Sequence, residues 1–124
     1  MLYAILCYND EKPFGSWPKD KQDAVMEKLE VIQQKLAREG RLGPAARLSP
    51  STAAKTLRKD REPPLVVDGP FAETKEQLLG FYIVNCDSID EAVEIARDLG
   101  RAVPAGAYEI RPVSSFREGA ISGG

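Results

Sequence analysis

The sequence predicts an α+β domain of the ferredoxin-like kind: a split βαβ antiparallel sheet, both helices on one face, with an extra hairpin inserted. Three observations lead there. The runs Leu2-Tyr3-Ala4-Ile5-Leu6-Cys7-Tyr8 and Leu78-Leu79-Gly80-Phe81-Tyr82-Ile83-Val84 are apolar on both alternating faces, which marks strands covered on both sides. Each is followed by a segment with helical periodicity, and each helical segment runs up to a glycine. Between the first helix and the second apolar run lies a stretch of short strands and turn residues, long enough for one sheet strand and a hairpin.

Taken in order, the first strand ends at Asn9-Asp10-Glu11-Lys12-Pro13, and a loop follows in which Phe14 and Trp17 are the large apolar groups. Pro18 suits the first turn of a helix, where its missing N–H costs nothing. From 19 to 39 the apolar positions Val25, Leu29, Ile32 and Leu36 fall on one helix face, and Gly40 stands ready to close it in a left-handed cap. Residues 41–48 and 53–58 read as short strands separated by Ser49-Pro50-Ser51. Lys59-Asp60-Arg61-Glu62 reads as a hairpin tip and 64–67 as its return strand. Ser88-Ile89-Asp90-Glu91 is a capping box. The helix it opens carries Ile89, Ala92, Val93 and Ala96 on one face, with Gly100 expected to end it. Residues 108–113 form the last strand, apolar on one face and charged on the other. The tail 114–124 is polar and glycine-rich, and its last residues are expected to fray. No linker, repeat or low-complexity block interrupts the pattern, so residues 1–113 read as a single domain.

Composition narrows the function. With 43% apolar and 29% charged residues the chain is a soluble globular type. Seventeen basic against nineteen acidic residues, with no basic stripe, argue against a nucleic-acid partner. The N-terminal apolar run is too short for a membrane span and lacks the flanks of a signal peptide, so a cytoplasmic location is the expectation. Histidine is absent. That removes the side chain most used for proton transfer near neutral pH and the commonest metal ligand. No glycine-rich phosphate loop, paired-cysteine metal spacing or Ser-His-Asp set is present, so no cofactor and no metal are expected.

The topology has two consequences. Cys7 and Cys86 end two antiparallel central strands and so lie at opposite edges of the sheet, about 17 Å apart. A disulfide needs Cα atoms within roughly 7 Å, so both should be free and buried. Second, helices cover only one face of a sheet whose central strands are apolar on both. A second copy of the chain, packed sheet to sheet, is the simplest cover and would enclose space between the sheets.

The run DGPFAETKEQLLGFYIV at 68–84, with YAILCYND at the start and YEIRPV at the end, resembles the YCII-related proteins of the DGPF type. The resemblance spans nearly the whole chain to about Val113. It implies a ferredoxin-like fold pairing as a dimeric α/β barrel, and genes that often neighbour those of extracytoplasmic-function sigma factors. Enzyme function has been inferred for the wider family from a His and an Asp in a cleft. Two departures stand out. Leu79-Gly80 occupies the place of a usual Gly-Gly, and Ala105 stands before Gly106 where related sequences tend to carry His. A His–Asp mechanism is therefore closed to this chain.

What remains for chemistry is carboxylates, arginine and aromatics. Asp68 opens the Asp68-Gly69-Pro70 turn, where it can simply shape the connection as an Asx turn while Phe71 pins it to the core. Alternatively the turn aims Asp68, Glu73 and Lys75 at the mouth of the inter-sheet space, with Asp68 or Glu73 as acid or base, its pKa raised by burial. Glu109 and Arg111 alternate with Tyr108 and Ile110 and so face away from the helices, where Arg111 could grip a carboxylate or phosphate at two points. The simpler role is an ion pair on that face. Tyr8, Trp17 and Phe71 could stack on a ligand, or serve as core edge or dimer contact. Two functions follow: a homodimer that binds, or binds and transforms, a small polar or anionic molecule between its two sheets, or a non-catalytic interaction module associated with a sigma-factor system.

Overall fold

The computed structural model describes residues 1–103 and 105–121, leaving out the side chains of residues 13–15. The fraying expected at the extreme C-terminus falls on 122–124, outside the described residues, as does the side chain of Phe14. The elements run β1 (Leu2–Asn9), α1 (Glu11–Ser16), α2 (Lys19–Arg38), β2 (Leu42–Arg47), a 3₁₀ turn (Ser51–Ala53), β3 (Lys55–Arg58), β4 (Leu65–Asp68), β5 (Gln77–Asn85), α3 (Ile89–Ala102) and β6 (Ala107–Pro112). Four strands form one antiparallel sheet in the order β2-β5-β1-β6, while β3 and β4 pair as a separate hairpin. This is the α+β architecture expected, and its strand order is that of a ferredoxin-like sheet.

The helices are built as their sequences dictate. Val25, Leu29 and Leu36 are the buried residues of α2, and Gly40 beyond its end has φ +70°, the left-handed conformation that glycine adopts without a Cβ penalty. At α3 the Ser88 hydroxyl accepts from the Glu91 N–H at 3.2 Å. Glu91 reaches back one residue further than a capping box requires, accepting from the Asp87 N–H at 2.9 Å, and it also meets Arg41 at 3.3 Å. Two expectations for α3 need correction. It does not stop at Gly100 but runs on to Ala102. Ala92 and Ala96 are buried as expected, but Ile95, Leu99 and Ala102 complete the face, while Ile89 is exposed and Val93 half-buried. Gly100 keeps a negative-φ backbone, and a Cβ there would meet the Tyr108 ring at 3.7 Å, an ordinary contact, so nothing forces the helix to end there. The loop after β1 also differs from expectation, because residues 11–16 coil into the short α1.

One layer of side chains joins sheet to helices. Tyr3 and Ile5 of β1, Val84 of β5, and the inner faces of α2 and α3 form the core, with Ile5, Val84 and Leu99 fully buried. Each such side chain contributes about 1.5–3 kcal/mol by leaving water. The register fixes which residues share the opposite face. Phe81, Leu6 and Glu109 lie in one cross-strand row, and Ile83, Ala4 and Arg111 in the next. Among the described residues no helix covers that face. At the outer edges, β2 carries Pro44 and an irregular register between Leu42 and Ala45, and β6 ends in Pro112.

Candidate functional site

The open sheet face is where the fold sets charge in an apolar field. Leu2, Ala4, Leu6, Tyr8, Phe81 and Ile83 lie on it, all half-buried by one another rather than by a second layer. Alternation along β6 sends Tyr108 and Ile110 inward against the core and leaves Glu109 and Arg111 outward. Both charged residues are exposed, and among the described residues neither enters an ion pair. Tyr8 stands in the row of Leu78 and Ala107, just past a bulge that lets β5 skip Leu79. Gly106 must lie close there: a Cβ on it would come within 2.5 Å of the Tyr8 carbonyl oxygen, and its φ is +85°.

The other predicted residues are placed elsewhere. Trp17 packs against the core on the helix side, with the Lys21 ammonium 4.1 Å from its ring centre, so the sheet separates it from the open face. Asp68 lies on the hairpin, 86% exposed, and is held by Lys55 at 2.5 Å across the β3–β4 pair. Glu73 and Lys75 are exposed in the connection from β4 to β5. Burial, the proposed means of tuning Asp68 or Glu73, is therefore missing in the single chain. Phe71 does not pin the turn to the core. It is 77% exposed, with the Arg58 guanidinium 5.4 Å from its ring centre.

Sequence reading missed what holds the insertion together. Gln77 donates to the Ala72 and Thr74 carbonyls, both at 2.9 Å, and so braces the turn-to-strand connection from its far end. Glu11 accepts from both the N–H and the hydroxyl of Ser51, at 2.7 and 2.5 Å, tying the exit of β1 to the root of the hairpin. Pairing forty positions apart leaves no periodic signal in a sequence.

A second cluster lies on the helix side, where Cys7 sits in the row of Gly80 and Tyr108 and close to Tyr82. Burial pushes the Cys7 thiol up to about 11 and raises Tyr108 and Tyr82 as well, although the Gln33 amide donating to the Tyr82 oxygen at 3.1 Å works the other way. All three are held protonated, so Cys7 is no ready nucleophile. Both cysteines are free, and Cys86 ends beside Met1 while Cys7 pairs with Gly80, at opposite ends of the sheet. The folded chain holds the Cys7 proton more tightly than the unfolded chain does. Its contribution to stability is thus intact below about pH 9 and lost as pH rises toward 11. We expect a melting temperature that falls across that window less steeply in Cys7→Ala, and iodoacetamide labelling of Cys7 at pH 8 that is slow until denaturant is added. Rapid labelling of the native protein would contradict the burial.

Two surface depressions stand out, about 210 Å³ beside Val103, Ala105 and Tyr108 and about 290 Å³ between α2 and α3 at Ile32 and Ala102. Both are smaller than the usual ligand cavity of roughly 300 Å³ or more. Neither lies on the open face.

The model of the YCII-related domain matches residues 1–117. The chain belongs to the YCII-related family. An uncharacterised protein of Rhizobium meliloti (strain 1021) is 52% identical to it over 122 residues, covering 98% of each chain. In this YCII-related protein the position before Gly106 is Ala105, which has φ +71° and lines the smaller depression. Among the described residues no helix is long and apolar enough to cross a membrane.

Proposed function

We propose that two copies of the chain pair open face to open face and that the space between their sheets binds a small anionic molecule. Arg111 supplies a two-point contact to a carboxylate or phosphate, Glu109 selects against a second anion beside it, and Tyr8, Leu6 and Phe81 form the apolar wall. The observation that supports this most is the pair Glu109 and Arg111, set in cross-strand rows with Leu6 and Ala4 and in no ion pair among the described residues. Closing a second sheet over these charges would leave them buried and uncompensated unless each meets an opposite charge, from the ligand or from the second copy.

Any transformation of that molecule would have to use carboxylates. Asp68 and Glu73 take part only if the hairpin and its following connection bring them to the space from the second copy. A thermal-shift panel of carboxylates, phosphates and aromatic acids tests the reading. At a hundred times its dissociation constant a ligand stabilises by about 2.7 kcal/mol, a shift of several degrees. The shift should vanish in Arg111→Ala, and loss of turnover without loss of binding in Asp68→Asn would assign chemistry to the turn. The second reading, an interaction module acting on a regulatory partner such as a sigma-factor system, draws on the missing histidine and the exposed hairpin. Silence across the panel would favour it.

A further inference from the structure

The hairpin of β3 and β4 is an arm. Among the described residues it pairs with itself alone, and no extended packing joins it to another strand or helix. One of its faces carries Leu57 opposite Val66, 57% and 60% exposed, flanked by the Lys55–Asp68 pair. Leu65 and Val67 on the other face are exposed too. An isolated two-stranded hairpin is at best marginally stable in water, and this one exposes apolar side chains on both sides. The ion pair beside Leu57 and Val66 is already satisfied, so that face offers an apolar surface without a free charge. A nucleic acid or other highly charged partner finds little to hold there.

The total surface says how much cover is missing. The chain exposes 9065 Å² at a mass of 13.6 kDa. A folded monomer of that mass is expected to expose about 6,600 Å². The excess, 9065 Å² less that expectation, is roughly 2,500 Å². The exposed stretch after Val113 accounts for part of it, and the arm and the open face are the other places where the chain lacks a second layer. A close homodimer interface removes roughly 1,000–2,500 Å² from each partner, which matches the size of this deficit. The arm is also rooted at the rim of the open face, because β2 leaves and β5 enters the sheet at the end marked by Arg47, Gly80 and Leu78.

We propose that the arm is a clasp: Leu57 and Val66 of each copy lie on the apolar surface of the other, so that the arms close over the rim of the paired sheets. The inference rests on the face-to-face pairing above and adds a separate contact to it. The test is sedimentation equilibrium of the wild type, the double variant Leu57→Ser/Val66→Ser and the open-face variant Phe81→Glu, with amide hydrogen exchange of 55–58 and 65–68 at high and low concentration. The arm does not pack on its own core, so the double variant should keep the wild-type circular dichroism when both are monomeric. We expect its dimer dissociation constant to rise a hundredfold or more, since two side chains are lost on each of two symmetric contacts. Exchange in the wild-type arm should slow as the dimer fills. A dimeric wild type with free exchange in the arm, and no weakening in the double variant, would overturn the clasp and leave the sheet pairing standing. A wild type that stays monomeric at micromolar concentration would overturn both.

Discussion

Gly80→Ala should lower the melting temperature by about 10 °C, a large effect for one methyl group. A Cβ at this position would come 2.3 Å from the Ala46 carbonyl oxygen and 3.2 Å from the Arg47 Cα. Both are backbone atoms of β2, and neither can swing away as a side-chain tip would. Relief requires β2 to part from β5 at the place where the insertion begins, at a cost of about 3 kcal/mol. In a domain of this size each kcal/mol moves the midpoint by about 3–5 °C. Gly43→Ala is the comparison, since its Cβ would meet the Ile83 carbonyl oxygen at 3.1 Å, tight but within reach of a small adjustment. Thermal unfolding of the two variants side by side is the measurement. Equal, small shifts would mean that β2 is free to move.

Phe81→Glu is expected to have the largest effect on association while sparing the fold. Phe81 sits in the row of Leu6 and Glu109, half-buried on the face away from the helices, so its loss opens no cavity in the core between sheet and helices. In the single chain a carboxylate there remains hydrated. Between two sheets it would be stripped of water on both copies at once, beside Glu109 and with its own symmetry mate near, a penalty of several kcal/mol for each charge. A species of one chain mass in light scattering, at concentrations where the proposed pairing gives the wild type twice that mass, is the expected result. A Phe81→Glu dimer as tight as the wild type would mean that the copies meet somewhere else.

What could be read from the sequence, and what could not, divides by range. The two-sided apolarity of the first strand and of Leu78 to Val84 identified the central pair, and the four-three-four spacing from Val25 to Leu36 identified α2, because both are local periodicities with one geometric meaning. The Glu109/Arg111 side was legible for the same reason. The face of α3 is half legible: Ala92 and Ala96 fall on it, but Ile89 and Val93 are as apolar as Ile95 and Leu99, and only the direction of the sheet decides between them. The turn composition suggests Phe71 as a core anchor or as a stacking ring, and of these the anchor fails, because Phe71 stands in solvent beside Arg58. A turn composition fixes a backbone and says nothing of what its aromatic meets. The bonds from Glu11 to Ser51 and from Gln77 to its own loop join polar residues with no periodic trace, and the fold itself was needed to find them.

The two prolines at the sheet's outer edges carry a consequence for crowded solutions. β2 and β6 flank the sheet, and each would otherwise offer a row of N–H and C=O groups to a passing strand. Pro44 removes a donor from one row and Pro112 ends the other, while the irregular register of β2 twists its edge out of line. Growth of the sheet sideways, molecule after molecule, as in a fibril, is thus discouraged at both ends. Within the four-stranded sheet the exposed apolar surface is thereby kept to one face, and a face covered once, unlike an edge, offers no template for the next molecule.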